Sequence, residues 1–257
     1  MRKALLVIST TISVLLLAVI LVIGLPVKKS LATYQNDLQE LQGEFDMQLQ
    51  RSYQLAVEDA ADALEDEIYK GLLPIVPDNP DLKWREVDGK PQVLMVTWSS
   101  WNGYDEKVGQ KMQLTREVWT TAVPELQKFA SQLQLNENNL NVRLEEYLGL
   151  PAHNGKTKFV QMWVYPKDLY RPCPDSEIDD TQCDLDFPNP VDAQHEEWIN
   201  KQIINSYGEK GYPWTRLGYT YDWGRIGTEI GASEFVVRAG AEVDIDSVMN
   251  TVDYVRG

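Results

Sequence analysis

Lys158-Phe-Val-Gln-Met-Trp-Val-Tyr165 decides how this chain folds. Phe159, Gln161, Trp163 and Tyr165 alternate with Val160, Met162 and Val164. Both alternating sets are largely apolar, so the segment reads as a strand with two covered faces, a central position in a sheet. Upstream, Val93 to Trp98 and Leu114 to Val123 are rich in β-branched residues and tryptophan and read as two more strands, joined through the Gly-containing stretch Asn102 to Gly109. Pro124 suits the first turn of a helix that shows Leu126, Phe129, Ala130 and Leu133 on one face. A second helix covers Leu140 to Leu148 and is stopped by Gly149 and Pro151. Ala193 to Ser206 reads as a third, and Phe235 to Arg238 and Glu242 to Ile245 as closing strands around Gly240. The expected class is α+β: a mixed or antiparallel sheet with about three helices in a body spanning residues 74–257.

Before the body, Pro74, Pro77 and Pro80 interrupt a segment of helix formers, Lys29 to Lys70, that contains one glycine and no proline. Its apolar stripe, Tyr34, Leu38, Leu41, Phe45, Leu49, Tyr53, Ala56, Ala60, Leu64 and Ile68, advances mostly in steps of four. That spacing fits a helix lying on its own domain better than a left-handed coiled coil, although pairing between copies is the alternative. Residues 29–73 are therefore expected to form a long helical stalk. Ala4 to Leu25 carries no charge and, at about 1.5 Å per residue, would span roughly 33 Å as a helix. Arg2 and Lys3 precede it and Lys28 and Lys29 follow, so residues 1–28 read as a retained transmembrane signal-anchor, a cleaved signal being the rival.

Residues 31 to 257 hold 20 basic against 39 acidic side chains. Phosphate backbones need clustered lysine and arginine, so nucleic acid is not a partner to expect. The two cysteines, Cys173 and Cys183, stand in a Pro- and Asp-rich stretch. They read as a disulfide stapling that loop in an oxidising compartment, which places the body outside the cytoplasm. A zinc pair is disfavoured because the only histidines, His153 and His195, are not at ligand spacing from them.

The densest candidate for binding is Tyr212, Trp214, Arg216, Tyr219, Tyr221, Asp222 and Trp223. Aromatic faces with one cation and one anion can stack on and orient a ligand, and they can equally pack a domain edge. Trp98, Trp101 and Tyr104 could join them. Asp175, Glu177, Asp179 and Asp186 occupy positions 1, 3, 5 and 12 of a calcium-loop template. Asp180 stands where that loop needs glycine, Asp186 replaces a bidentate glutamate, and prolines replace the flanking helices, so a solvated acidic loop is the plainer reading. His195, beside Glu196 and Glu197, could serve as a general base, against the plainer reading of a lone surface histidine. No nucleophile-elbow, zinc-protease, phosphate-loop or dinucleotide motif occurs, and no cofactor is expected.

Gly231-Ala-Ser-Glu-Phe-Val-Val237 loosely resembles the strand that carries the catalytic glutamate in ADP-ribosyltransferase-like folds, which would make Glu234 catalytic and Arg116 a phosphate-binding arginine. The Ser-Thr-Ser strand of that family is missing. Trp163 to Asp175, with the Tyr212 to Trp223 segment, resembles a group of uncharacterised bacterial envelope proteins and implies a location without an activity. The expectation is a single-pass protein of the bacterial inner membrane whose periplasmic body binds a protein partner or small ligand through its aromatic segment. A hydrolase or ADP-ribosyltransferase-like enzyme is the alternative.

Overall fold

The computed structural model describes residues 31–133 and 137–256. The first helix, α1 (Leu31–Ala60), contributes to two units, one ending at Gln48 and one beginning at Leu49. In the first, the described residues are helical and leave Tyr34, Leu38, Leu41, Phe45 and Met47 exposed. In the second, α1 is part of the body: Leu49, Ala56, Val57 and Ala60 are buried, and Tyr53 donates its hydroxyl to the Gly211 carbonyl at 2.9 Å. The expected stalk of 29–73 is thus corrected. Its helix stops at Ala60, ten residues before Lys70, and from Leu49 it belongs to the body. Continuing it would stack Glu58, Asp59, Asp62, Glu65 and Asp66 at the negative end of the helix dipole, an arrangement of like charges that favours an exit. Among the described residues no helix is long and apolar enough to cross a membrane, and the expected anchor, residues 1–28, lies outside them.

Strands β1 (Trp84–Val87) and β2 (Lys90–Ser99) form a hairpin across Asp88 and Gly89. Both turn residues have positive φ, 51° and 71°, the backbone that two-residue hairpins require and that an Asp-Gly pair tolerates. There follow β3 (Lys111–Gln113), β4 (Val118–Ala122), α2 (Glu125–Ser131), α3 (Glu137–Tyr147), β5 (Lys158–Val164), β6 (Leu169–Tyr170) and α4 (Ala193–Ser206). The chain ends with β7 (Tyr219–Tyr221), β8 (Ile230–Ser233), β9 (Phe235–Val237), β10 (Glu242–Asn250) and α5 (Thr251–Arg256). The main sheet runs β3-β10-β5-β2-β4-β9-β6 with β1 beside β2, and every pair in it is antiparallel. β7 and β8 make a separate antiparallel pair.

The α+β class expected from sequence is what forms, and β5 is internal, between β10 and β2. Its alternation sorts the core. Val160, Met162 and Val164 join Val93, Met95, Val243, Ile245, Phe235 and Val237 on one face. Phe159 and Trp163 join Leu94, Val96 and Trp98 on the other, against Leu126 of α2, Leu144 of α3 and Tyr254 of α5. The expected strand Leu114–Val123 is shorter, because the Leu114 backbone is bonded to the turn at 240–241: its N–H donates to the Ala241 carbonyl at 2.9 Å, and its carbonyl accepts the Gly240 N–H at 2.7 Å.

Cys173 and Cys183 form the disulfide. The loop they close is pinned to the proline-rich segment, where Leu72 N–H donates to the Thr181 carbonyl at 2.9 Å and Ile75 N–H to that of Ile178 at 2.6 Å. It packs on Gly218, whose φ is +77° and where an added Cβ would lie 2.7 Å from Cys183 Sγ and 2.8 Å from Leu72 Cδ1, so no side chain fits. Closing so short a loop stabilises by about 2 to 3 kcal/mol in the chain-entropy model, and each kcal/mol moves the midpoint by roughly 2 to 4 °C in a domain of this size. Thermal melts followed by circular dichroism are expected to lose roughly 5 to 10 °C when Cys173 and Cys183 are both replaced by serine. An unchanged midpoint would assign the order of this loop to its hydrogen bonds alone.

Candidate functional site

The site begins as a failure of strand pairing. β2 matches β5 over seven residue pairs, Val93↔Val164 to Ser99↔Lys158, but matches β4 over two, Met95↔Ala122 and Val96↔Thr121. Carried two residues further, that register would set Trp98 opposite Trp119. Each indole is instead anchored elsewhere. Trp98 stacks on Phe159 with ring centres 5.3 Å apart and donates Nε1–H to Thr251 Oγ1 at 3.1 Å. Trp119 packs edge-on to Trp214 at 6.3 Å and lies 6.0 Å from Trp198 of α4. Thr120, next to it, donates its hydroxyl to the Phe235 carbonyl on β9. The two strands therefore diverge, and the fork opens a cavity of about 600 Å³, a size that accommodates a small organic ligand.

Trp98, Trp101, Tyr104 and Trp119 line it, together with Arg116, Glu117, Lys156 and Glu234. The charged groups differ in how they are satisfied. Glu117 is committed, accepting the Trp198 Nε1–H at 2.8 Å. Lys156 stands on the loop after α3, held where Glu145 accepts the His153 and Asn154 backbone N–H groups at 3.0 Å and Asn154 accepts that of Lys156 at 2.8 Å. Its Nζ donates to the Trp98 carbonyl at 2.8 Å, an acceptor left open by the fork, and no carboxylate among the described residues is paired with it. Desolvation pushes its pKa down. Glu234 lies between β8 and β9, its backbone N–H donating to the Gly218 carbonyl at 2.9 Å. Its carboxyl makes no hydrogen bond or ion pair with another described residue, and burial alone pushes its pKa up to about 8. A carboxyl raised this far holds its proton more readily than an ordinary glutamate. Arg116 is exposed at the rim and likewise has no such partner.

Of the residues singled out from sequence, the fold brings Glu234 and Arg116 to this cavity with Trp98, Trp101 and Tyr104. It does not bring the Tyr212–Trp223 segment there as an aromatic groove, which corrects that expectation. Trp214, Tyr219, Asp222 and Trp223 are buried, and their polar tips are taken up within the protein. Trp214 donates to the Pro172 carbonyl at 2.9 Å, Tyr219 to that of Glu67 at 3.0 Å and Trp223 to that of Leu150 at 3.0 Å. Asp222 receives both arms of the Arg143 guanidinium at 2.7 and 2.5 Å. Arg216 donates to the Ala61 carbonyl, and Tyr221 to Asp59 on α1. Tyr212 alone of the aromatics is well exposed. From this segment only Thr220, which sequence reading passed over, lines the cavity.

His195 is not a surface histidine. It is buried and lies 2.7 Å through Nε2 from the Cys173 carbonyl. A carbonyl oxygen only accepts, so Nε2 carries the proton and is occupied in holding the disulfide loop, not poised as a base. In the calcium template, Asp175 and Glu177 do converge, but with Asp180; Asp179 and Asp186 are not in the group. Buried Arg171, with Nε 3.7 Å from Asp180 Oδ1, explains the gathering as counter-charge. Lys156 escaped sequence reading altogether, since a lysine in His153-Asn-Gly-Lys156 carries no local signal.

No protein-family model, curated protein or solved structure matches this chain. Fold and cavity together define its class: an antiparallel α+β protein with a ligand-sized cavity in a fork of its sheet.

Among the described residues burial raises five glutamates, Glu67 and Glu145 among them, and the largest shifts take Glu125 to about 7, Glu146 to about 7 and Glu234 to about 8. A carboxyl whose folded pKa exceeds its unfolded value stabilises the fold fully below the unfolded pKa and loses that contribution as pH rises through the folded one. The melting midpoint is therefore expected to be higher at about pH 5 than at about pH 8.5, and Glu234→Gln to narrow the difference. Differential scanning calorimetry at both values checks this; a midpoint that rises with pH would refute it.

Proposed function

We propose that this chain is a membrane-tethered binding protein of the bacterial envelope, its body on the oxidising side, and that its ligand occupies the cavity in the sheet fork. The carrying observation is Glu234: a carboxyl with no hydrogen bond or ion pair among the described residues, lining an aromatic cavity. Titratable groups whose surroundings perturb them, lining a cavity, concentrate at functional sites. The apolar run Ala4 to Leu25, the disulfide and the envelope resemblance support the location. One observation favours an enzyme instead. Glu234 is protonated near neutrality and lines the same cavity as Arg116, the pair that a hydrolase or ADP-ribosyltransferase-like enzyme would use as acid and anion-binding group.

Saturation-transfer NMR of the full chain against a mixture of small organic molecules tests the reading. Hits are expected to disappear when Thr97→Tyr fills the fork and to persist in Tyr212→Ala. Hits that survive the first variant and vanish in the second would return the site to the aromatic segment. Turnover of NAD that stops in Glu234→Gln would put the enzyme reading in its place.

A further inference from the structure

We propose that the cavity takes a small organic monoanion, its acidic group held by Lys156 and Arg116 and its ring-bearing body against Trp101, Tyr104 and Trp119. The inference rests on the cavity being the ligand site and adds the chemistry of the ligand. The chain carries 39 acidic side chains against 24 basic ones, so carboxylates for pairing are plentiful. Arg143 meets buried Asp222 and Arg171 lies beside Asp180, whereas Arg216 donates to the Ala61 carbonyl and Lys156 to that of Trp98. Of these four, Lys156 lines the cavity. It is half-buried, fixed on the Trp98 carbonyl, and faces the cavity with no carboxylate. A half-buried ammonium that has a carbonyl but no carboxylate beside it is incompletely compensated, and an anionic ligand would supply the counter-charge.

Glu234 does not serve as that counter-charge. Burial alone acts on its ionisation, with no cation contributing, and it makes no hydrogen bond or ion pair with Lys156. Arg116 at the rim adds a second cation where an anion would enter. Trp101, 55% exposed and packed edge-on to Tyr104 at 4.7 Å, presents ring surface to a planar body. A volume of about 600 Å³ suits one such molecule.

The test is isothermal titration calorimetry of the detergent-solubilised full chain with 2-naphthoate and with 2-naphthamide, its neutral counterpart, each blanked against empty micelles. Naphthoate is expected to bind about tenfold tighter or better, as a charge-assisted hydrogen bond would give. Lys156→Met should abolish the preference while still binding the amide, which also shows that the variant is folded. Lys156→Arg should restore it, and Arg116→Gln should weaken naphthoate by a smaller factor, about threefold, as a solvent-screened rim charge would. Equal affinity for the two compounds, or a preference unchanged in Lys156→Met, overturns the inference and leaves the cavity as a site for neutral ligands. No binding of either compound to the unsubstituted chain removes the cavity reading itself, and the inference with it.

Discussion

Two tryptophans that would meet across adjacent strands, and do not, set the character of this protein. Trp98 is drawn toward Phe159 and Thr251, Trp119 toward Trp198 and Trp214, and the strands between them part after two residue pairs. Each indole gains burial and a ring neighbour in its own cluster. The backbone groups that would have bonded across the strands must then be met otherwise, and the Trp98 carbonyl is met by Lys156. The cavity, its cation and its aromatic walls are thus one event, a local loss of sheet pairing compensated on either side by packing.

Charge is the second organising constraint. In so acidic a chain the basic side chains are scarce, and where they are sequestered they tie distant segments together. Arg143 joins α3 to Asp222, just past the end of β7, and Arg171 holds the disulfide loop, donating to the Leu73 and Asp180 carbonyls at 3.1 and 2.8 Å. The acidic group around Asp175 then reads as the field that keeps Arg171 charged. Lys156, at the fork, is held by a carbonyl and faces the cavity.

The central strand was legible because its evidence is local: alternation over Phe159 to Val164 needs no knowledge of the rest of the chain. Helix α4 was equally legible, and Asp192 caps it by accepting the Gln194 N–H at 2.9 Å. The Asp88-Gly89 hairpin was signalled by its turn residues and passed over. The end of α1 at Ala60 was obscured because every residue to Lys70 is an acceptable helix former, and only accumulated negative charge argues for the exit. The fork could not be read at all. It depends on register between β2 and β4 and on which cluster captures each indole, neither of which is written in a window of sequence. Aromatic density at Tyr212–Trp223 misled for a related reason: composition does not say whether a ring faces inward, and here carbonyls from Pro172, Glu67 and Leu150 had claimed the polar tips.

The order of the sheet has a consequence for how the protein comes into being. β10, among the last strands to be synthesised, is laid between β3 and β5, and β9 between β4 and β6. The six residues that follow β10 are structural too, since Tyr254 is fully buried against Phe159 and Thr251 receives the Trp98 indole proton. A chain emerging from the ribosome, amino terminus first, cannot complete its main sheet until β10 is out, because strands made early are separated in space by strands made late. Loss of β10 and α5 would therefore take an interior strand from the sheet and not an edge.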